Sequence, residues 1–290
     1  MNKLGLSIHP WWVNGNLDKM EKELEAIAYA GAECCELVLQ GMDVIIGGNI
    51  IPERFGRIRR MMLKFPLQYT LHLPYELNLL DVDAALLYRK VFLAGIEFAR
   101  MTDIKVIVYH AGSVKNTKTE TFERLRQEEA ALMRELAVEA GDICICMENA
   151  PFYDTDEYSA GKSAEEMVQL VRMVDMPNFN ITFDIGHSYM SCAGDHATLL
   201  ENVRKVLPYV GHIHLHDNFG ISLPMTECDY NHRITCGAAD IHLPLGWGEI
   251  PLAQVMKILC DYQGIINLEI EKRFEDQYEN SLAFVRRTFN

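Results

Sequence analysis

Eight short runs of β-branched and apolar residues recur along this 290-residue chain, alternating with amphipathic stretches, and most of them end on His, Asp or Glu. The runs are Leu4–His9, Cys34–Leu39, Leu67–His72, Lys105–His110, Ile143–Glu148, Asn180–Asp184, Val210–His216 and Ile265–Ile270. Between them, Leu17–Ala30, Ala84–Met101, Thr119–Ala140 and Ala164–Val174 repeat apolar residues at three and four positions, the helical period. Asp81, Asp83 and Ser163 are candidate N-caps, and Gly31 and Gly141 candidate terminators. Strands alternating with helices from end to end form parallel βα units. Eight such units at this length predict an α/β fold of the (β/α)8 TIM barrel class, one domain over residues 1–290. A doubly wound sheet also alternates, but it gathers its site at one switch point and does not draw on six strand ends. The main irregularity is 218–248, a long stretch rich in Gly, Pro and polar residues that reads as a functional or mobile loop.

Nine metal-compatible side chains fall at or after these strand ends: His72, His110, Glu148, Asp184, His187, His214, Asp240, His242 and Glu269. A barrel delivers strand-end residues to its C-terminal mouth, so the set converges on a metal centre there. Glu148, Asp184, His214 and Glu269 come from adjacent strands five to eight. Three carboxylates and one imidazole suit Mn2+, Mg2+, Co2+ or Zn2+. A metal so held chelates a hydroxy-ketone and acidifies its C–H, and Glu148 and Glu269 can pass the proton. His72 and His110 let Glu148 bridge to a second ion. His187 with Asp240 and His242 offers a third. The expected cofactor is therefore one to three divalent ions, Zn or Mn, per chain.

His9, Trp12, Tyr75, His216 and Arg233 are the candidate substrate contacts. Trp11 and Trp12 offer an apolar wall for a sugar ring, and Arg233 is the basic residue of the long loop. His212, His214 and His216 share one strand face. His214 is read as the ligand, His216 as a substrate contact and His212 as a hydrogen-bonded core residue. By the same parity Glu269 is the ligand and Glu271 a salt-bridge partner of a nearby Lys or Arg. His196 and His232 read as surface residues, Cys228 and Cys236 as bystanders.

The formal net charge of −14 disfavours non-specific nucleic-acid binding, which draws on neutralised phosphates. It does not forbid it, since a metal cluster makes a local positive groove. Eight cysteines without a Cys-x-x-Cys, and no secretory leader or membrane-length apolar run, fit free thiols in a cytoplasmic protein.

These residues carry a resemblance. His72-Leu-Pro-Tyr75, His110-Ala-Gly112, Glu148-Asn149, Asp184-Ile-Gly-His187, His214-Leu-His-Asp217-Asn218, Asp240-Ile-His242-Leu-Pro-Leu-Gly246-Trp-Gly248 and Glu269 look like the xylose-isomerase-like barrel superfamily, in its order. That superfamily includes sugar isomerases and epimerases and the endonuclease IV type of abasic-site nuclease. By the resemblance, Glu148, Asp184, His214 and Glu269 match the single-metal site of ketose epimerases, with the two glutamates as acid–base pair. With His72, His110, His187, Asp240 and His242 they match the trinuclear zinc set of the nucleases, and Tyr75 and Asn78 echo a nuclease segment. Two departures weigh against the nuclease: Gln40-Gly-Met-Asp-Val-Ile-Ile-Gly-Gly-Asn49 carries no basic residue, and the stretch from His214 to Asp240 is longer than the nuclease pattern. The expectation is a metal-dependent sugar or sugar-phosphate isomerase or epimerase. A trinuclear-zinc phosphodiesterase is the alternative and a non-catalytic sugar- or metal-binding barrel with a relict site the third reading. Its partner is a small sugar, and since related barrels often pair, a homodimer is expected.

Overall fold

The computed structural model describes residues 2–115, 117–150, 157–222 and 230–289. Eight parallel strands close into a barrel, each followed by helix. They are β1 (Lys3–Ser7), β2 (Cys34–Val38), β3 (Gln68–His72), β4 (Val106–His110), β5 (Cys144–Glu148), β6 (Phe179–Asp184), β7 (Val210–Leu215) and β8 (Ile265–Leu268). Each pairs with its sequence neighbour, and β1 closes the ring against β8. All eight expected strands are present, with ends shifted by no more than two residues. The (β/α)8 barrel expected from the alternation is the fold observed.

The helices form because their apolar residues fall on one face. In α1 (Leu17–Tyr29), Leu17, Met20, Leu24 and Ile27 are all buried against the strands. Each such side chain contributes roughly 1.5–3 kcal/mol on burial. Asn16 caps the helix by accepting from the Asp18 and Lys19 amides. Ser163 caps the helix Ala164–Val174 by accepting from the Glu166 amide at 3.2 Å, as its position implied. Asp81 and Asp83 do not cap: the helix Ala85–Thr102 begins later, after Ala84. Asp81 instead accepts from the Asp83 and Ala84 amides and closes the turn before it. Gly141 ends the helix Phe122–Ala140 at φ 66°, a conformation side-chain-bearing residues rarely adopt.

Register decides which side chains meet. His110 lies beside Glu148 across β4 and β5, and Asp184 beside His214 across β6 and β7. Thr182 is the partner of Glu148 across β5 and β6, so Asp184 stands two residues beyond it, and the pairing of β6 with β7 shifts register between Ile181 and Thr182. Two short antiparallel pairs decorate the mouth, Ile45–Ile46 with Asn49–Ile50 and Ser113–Val114 with Tyr158–Ser159. Part of the stretch from 218 to 248 is regular structure among the described residues. These residues include the helix Tyr230–Cys236, and Leu243 forms an antiparallel bridge with Asp217 just before the stretch, closed by two backbone bonds of 3.0 Å. Cys228 lies outside the described residues. Among the described residues no helix is long and apolar enough to cross a membrane.

Candidate metal centre

The nine strand-end residues gather at the C-terminal mouth in three adjoining clusters. Glu148, Asp184, His214 and Glu269 place one donor atom each within 4.8 Å of one another. His72, His110 and Glu148 form a second such group, and His187, Asp240 and His242, joined by His216, a third. Glu148 divides its two oxygens between the first two clusters. Oε1 faces His214 Nδ1 at 3.1 Å, while Oε2 faces His72 Nε2 at 2.9 Å and His110 Nε2 at 3.3 Å. Asp184 does double duty: its Oδ1 accepts the His187 amide at 2.6 Å and caps the helix Ile185–Ser191, which leaves Oδ2 for the cluster. Glu269 follows β8, and its backbone amide donates to the Leu215 carbonyl at 3.1 Å. Its side chain, 10% exposed, is the one member of the central four that reaches solvent appreciably.

The electrostatics follow from burial against opposite charge. Burial alone raises the Glu148 carboxyl, but the His214 and His110 imidazoles outweigh it and hold Glu148 well below the usual carboxylate range. Asp184 is brought to about 2, burial being outweighed by His187 and His216. Burial depresses the imidazoles, yet Asp184 and Asp240 hold His187 well above its ordinary value, and Glu269, Glu36 and Glu148 do the same for His214. Asp240 and Glu269 bring His242 to about 10 against the same burial. Such a site keeps its carboxylates anionic and attracts cations, whether protons on imidazole or a metal ion that displaces them.

The donor set fits a divalent metal on a direct observation. Asp184 Oδ2, His216 Nε2 and Asp240 Oδ1 are buried and have no hydrogen-bond partner. Buried polar atoms without partners are rare because desolvating them costs free energy, and these three, one in the central cluster and two in the third, match coordination positions. His72 and His187 also use Nδ1 toward backbone carbonyls, Leu73 O at 2.6 Å and Asn149 O at 2.8 Å, which presents Nε2 inward. That is how metal-binding histidines are oriented.

Glu36 was not among the candidates, yet it forms the floor of the site. It is fully buried, with Oε1 3.0 Å from His214 Nε2 and Oε2 3.1 Å from His212 Nε2. Thr70 Oγ donates to it at 3.1 Å, and Ser7 Oγ and Asn267 Nδ2 approach at 3.4 Å each. His212 is thus the hydrogen-bonded core residue expected. His216 is fully buried beside Asp184 and Asp240, within the third cluster.

The other candidate contacts divide. Tyr75 stacks on His110 with centroids 5.5 Å apart and meets His72 edge-on at 4.9 Å, so it roofs the second cluster. Asn78 pins the loop after β4 through Ser113. His9 has both ring nitrogens engaged, Nδ1 with Glu23 at 3.2 Å and Nε2 with the Ile270 carbonyl at 2.7 Å, so it is tied into the wall. Trp12 is 43% exposed, with the Lys19 ammonium 4.4 Å from its ring centroid. Arg233 stands half-buried on the helix Tyr230–Cys236, and Cys236 on the same helix is exposed. Glu271 makes no ion pair among the described residues; its amide donates to the His242 carbonyl at 3.0 Å instead. His196 is an exposed residue that reaches the Tyr189 hydroxyl and the Glu249 carbonyl at 3.1 Å each.

A sequence profile of the xylose isomerase-like TIM barrel family matches residues 24–288. The chain belongs to that family. Among solved structures, a D-tagatose 3-epimerase-like protein superposes with a TM-score of 0.76 at 23% identity, covering 99% of this chain and 98% of that one. The D-psicose 3-epimerase of Clostridium cellulolyticum H10 gives 0.72 at 16%, covering 99% of each chain. A probable 3-DHS dehydratase of Bacillus anthracis gives 0.70 at 16%, covering 98% of each. At these identities the likeness is one of fold.

Proposed function

We propose that this xylose isomerase-like barrel is a divalent-metal-dependent isomerase or epimerase of sugars or sugar phosphates. The observation that carries the reading is the central cluster, in which two glutamates from the outer strands of a four-strand run meet Asp184 and His214 around one point. An ion held by these four would supply Lewis-acid polarisation of the oxygens of a hydroxy-ketone, which acidifies the C–H between them. Glu269, the more exposed glutamate, would exchange a proton with a substrate carbon. Glu148 is the second proton carrier. Its Oε2 contacts His110, 24% exposed, so that imidazole links the buried carboxylate to the mouth. Transfer between adjacent carbons gives aldose–ketose isomerisation, and transfer between faces of one carbon gives epimerisation. In this reading Tyr75 and Trp12 would pack on a sugar ring, and Arg233 would meet a phosphate. Turnover of a ketose and ketose-phosphate panel tests the reading. Glu148→Gln and Asp184→Asn should abolish it, and wild-type activity in either variant would remove the assignment.

One observation favours a second reading. Glu148 shared oxygen by oxygen between two clusters is the disposition of a carboxylate bridging two ions, and ions about 3.5–4 Å apart suit phosphodiester hydrolysis. That reading requires cleavage of abasic duplex DNA, lost in His110→Ala and His242→Ala.

A further inference from the structure

We propose that Cys144 and Cys146 form a two-thiolate site for copper(I), a soft monovalent cation, at the end of the barrel opposite the mouth. The inference stands apart from the metal centre and from the reaction assigned to it. Both cysteines lie on β5, two residues apart, so they share the strand face that carries Glu148 at its other end. Their sulfurs are 3.5 Å apart, and both thiols are free. Cys146 is fully buried, whereas Cys144, the first residue of the strand, is half-buried.

Each sulfur has its own donor on the neighbouring strand. Asn180 Nδ2 donates to Cys144 Sγ at 3.1 Å. Thr182 is fully buried and turns its hydroxyl toward the Cys146 sulfur, and its Oγ1 has no oxygen or nitrogen partner. Polar groups set behind a ligand atom in this way are what metal-bound thiolates require. Cys146 also brings the Cys144 thiol down to about 7 against burial, and Asn180 adds to the effect. Gly211 of β7 stands across from the pair. A Cβ there would lie 2.9 Å from Cys146 Sγ and 3.4 Å from Cys144 Sγ, so the missing side chain leaves the flank of both sulfurs open. Spacing favours an ion over a disulfide. Residues two apart on a strand stand about 6.6 Å apart, while a disulfide draws its β carbons to roughly 3.5–4.5 Å and would pull β5 out of its ladder. An ion between the sulfurs adds two metal–sulfur bonds of about 2.3 Å each and spans the unbent strand. Among the described residues no His, Asp or Glu completes a group of three with these sulfurs. Zinc, which takes four ligands, is therefore poorly served, whereas two thiolates suit copper(I). Binding releases the two thiol protons and leaves a complex of one negative charge, which Asn180 and Thr182 face.

The test titrates the full chain with copper(I) without oxygen, against a competing copper(I) chelator. One ion per chain should resist the chelator, and X-ray absorption at the copper edge should show two sulfur ligands and no imidazole nitrogen. Cys144→Ser should abolish this binding, and Thr182→Val should weaken it about 10-fold. Cys236→Ser, which removes an exposed thiol on the helix Tyr230–Cys236, should leave it unchanged. Copper lost to the chelator, bound through nitrogen, or held by folded Cys144→Ser as tightly as by wild type would overturn the proposal. The wild-type absorption spectrum decides it even if the variants fail to fold.

Discussion

Replacing Glu129 by glutamine should stabilise the protein above neutral pH and change little at pH 5. Glu129 lies on the helix Phe122–Ala140, 1% exposed, and accepts the Tyr158 hydroxyl at 2.9 Å. Tyr158 belongs to the short pair that edges the mouth beside β4 and β5, so the contact ties that edge to the helix layer. Burial raises the Glu129 carboxyl to about 7 against the opposing pull of Tyr158, the Gly112 amide and Arg126. A carboxyl raised in the folded state binds its proton more tightly there than in the unfolded chain. Its stabilising effect is complete below the ordinary value of 4.5 and is lost as pH rises through about 7. That displacement corresponds to about 3 kcal/mol, or a melting shift of about 6 °C for a chain of this size. Glutamine accepts the Tyr158 bond with no proton to lose. Melting curves of both proteins from pH 5 to pH 8 should therefore diverge, with the variant higher at pH 8. The metal-site groups titrate in both proteins and cancel in the difference. A gap that does not change with pH, or a variant less stable at pH 8, would refute the reasoning.

Glu36→Gln should lower divalent-metal affinity about 10–100-fold while the chain stays folded, because it removes the carboxylate that orients His214 from behind. Chelator competition measures this, and unchanged affinity would reduce Glu36 to a packing residue. Tyr75→Phe should leave metal affinity intact, whereas Tyr75→Ala should raise KM for the substrate, since the ring and not the hydroxyl covers His72 and His110. Steady-state kinetics separate the two variants.

The fold was legible because a parallel barrel writes two strong signals into its sequence: apolar runs of strand length and carboxylates or imidazoles at their ends. His72, His110, Glu148 and Asp184 each close a strand, and that position announces them. Glu36 was hidden because it sits in the middle of Cys34–Val38, where attention to strand ends overlooks it. The available signal was a charged residue inside an otherwise apolar strand, which is rare unless the charge is partnered. His212, His214 and His216 show a different difficulty. Parity correctly puts all three on one face, but residues two apart on a strand differ in depth by about 6.6 Å. One strand therefore serves three levels: His212 the floor with Glu36, His214 the central cluster and His216 the outer one. The engagement of His9 with Glu23 and Ile270 depends on the packing of α1 and the chain after β8, which no local pattern encodes.

The most direct test of the proposed reaction is proton exchange in heavy water. Metal-loaded protein incubated in D2O with ketoses and ketose phosphates should incorporate deuterium at a carbon next to the carbonyl of one of them. Glu269→Gln should abolish that incorporation without releasing the metal. The account is contradicted if the fully loaded protein exchanges no proton with any of these sugars and instead cleaves a phosphodiester.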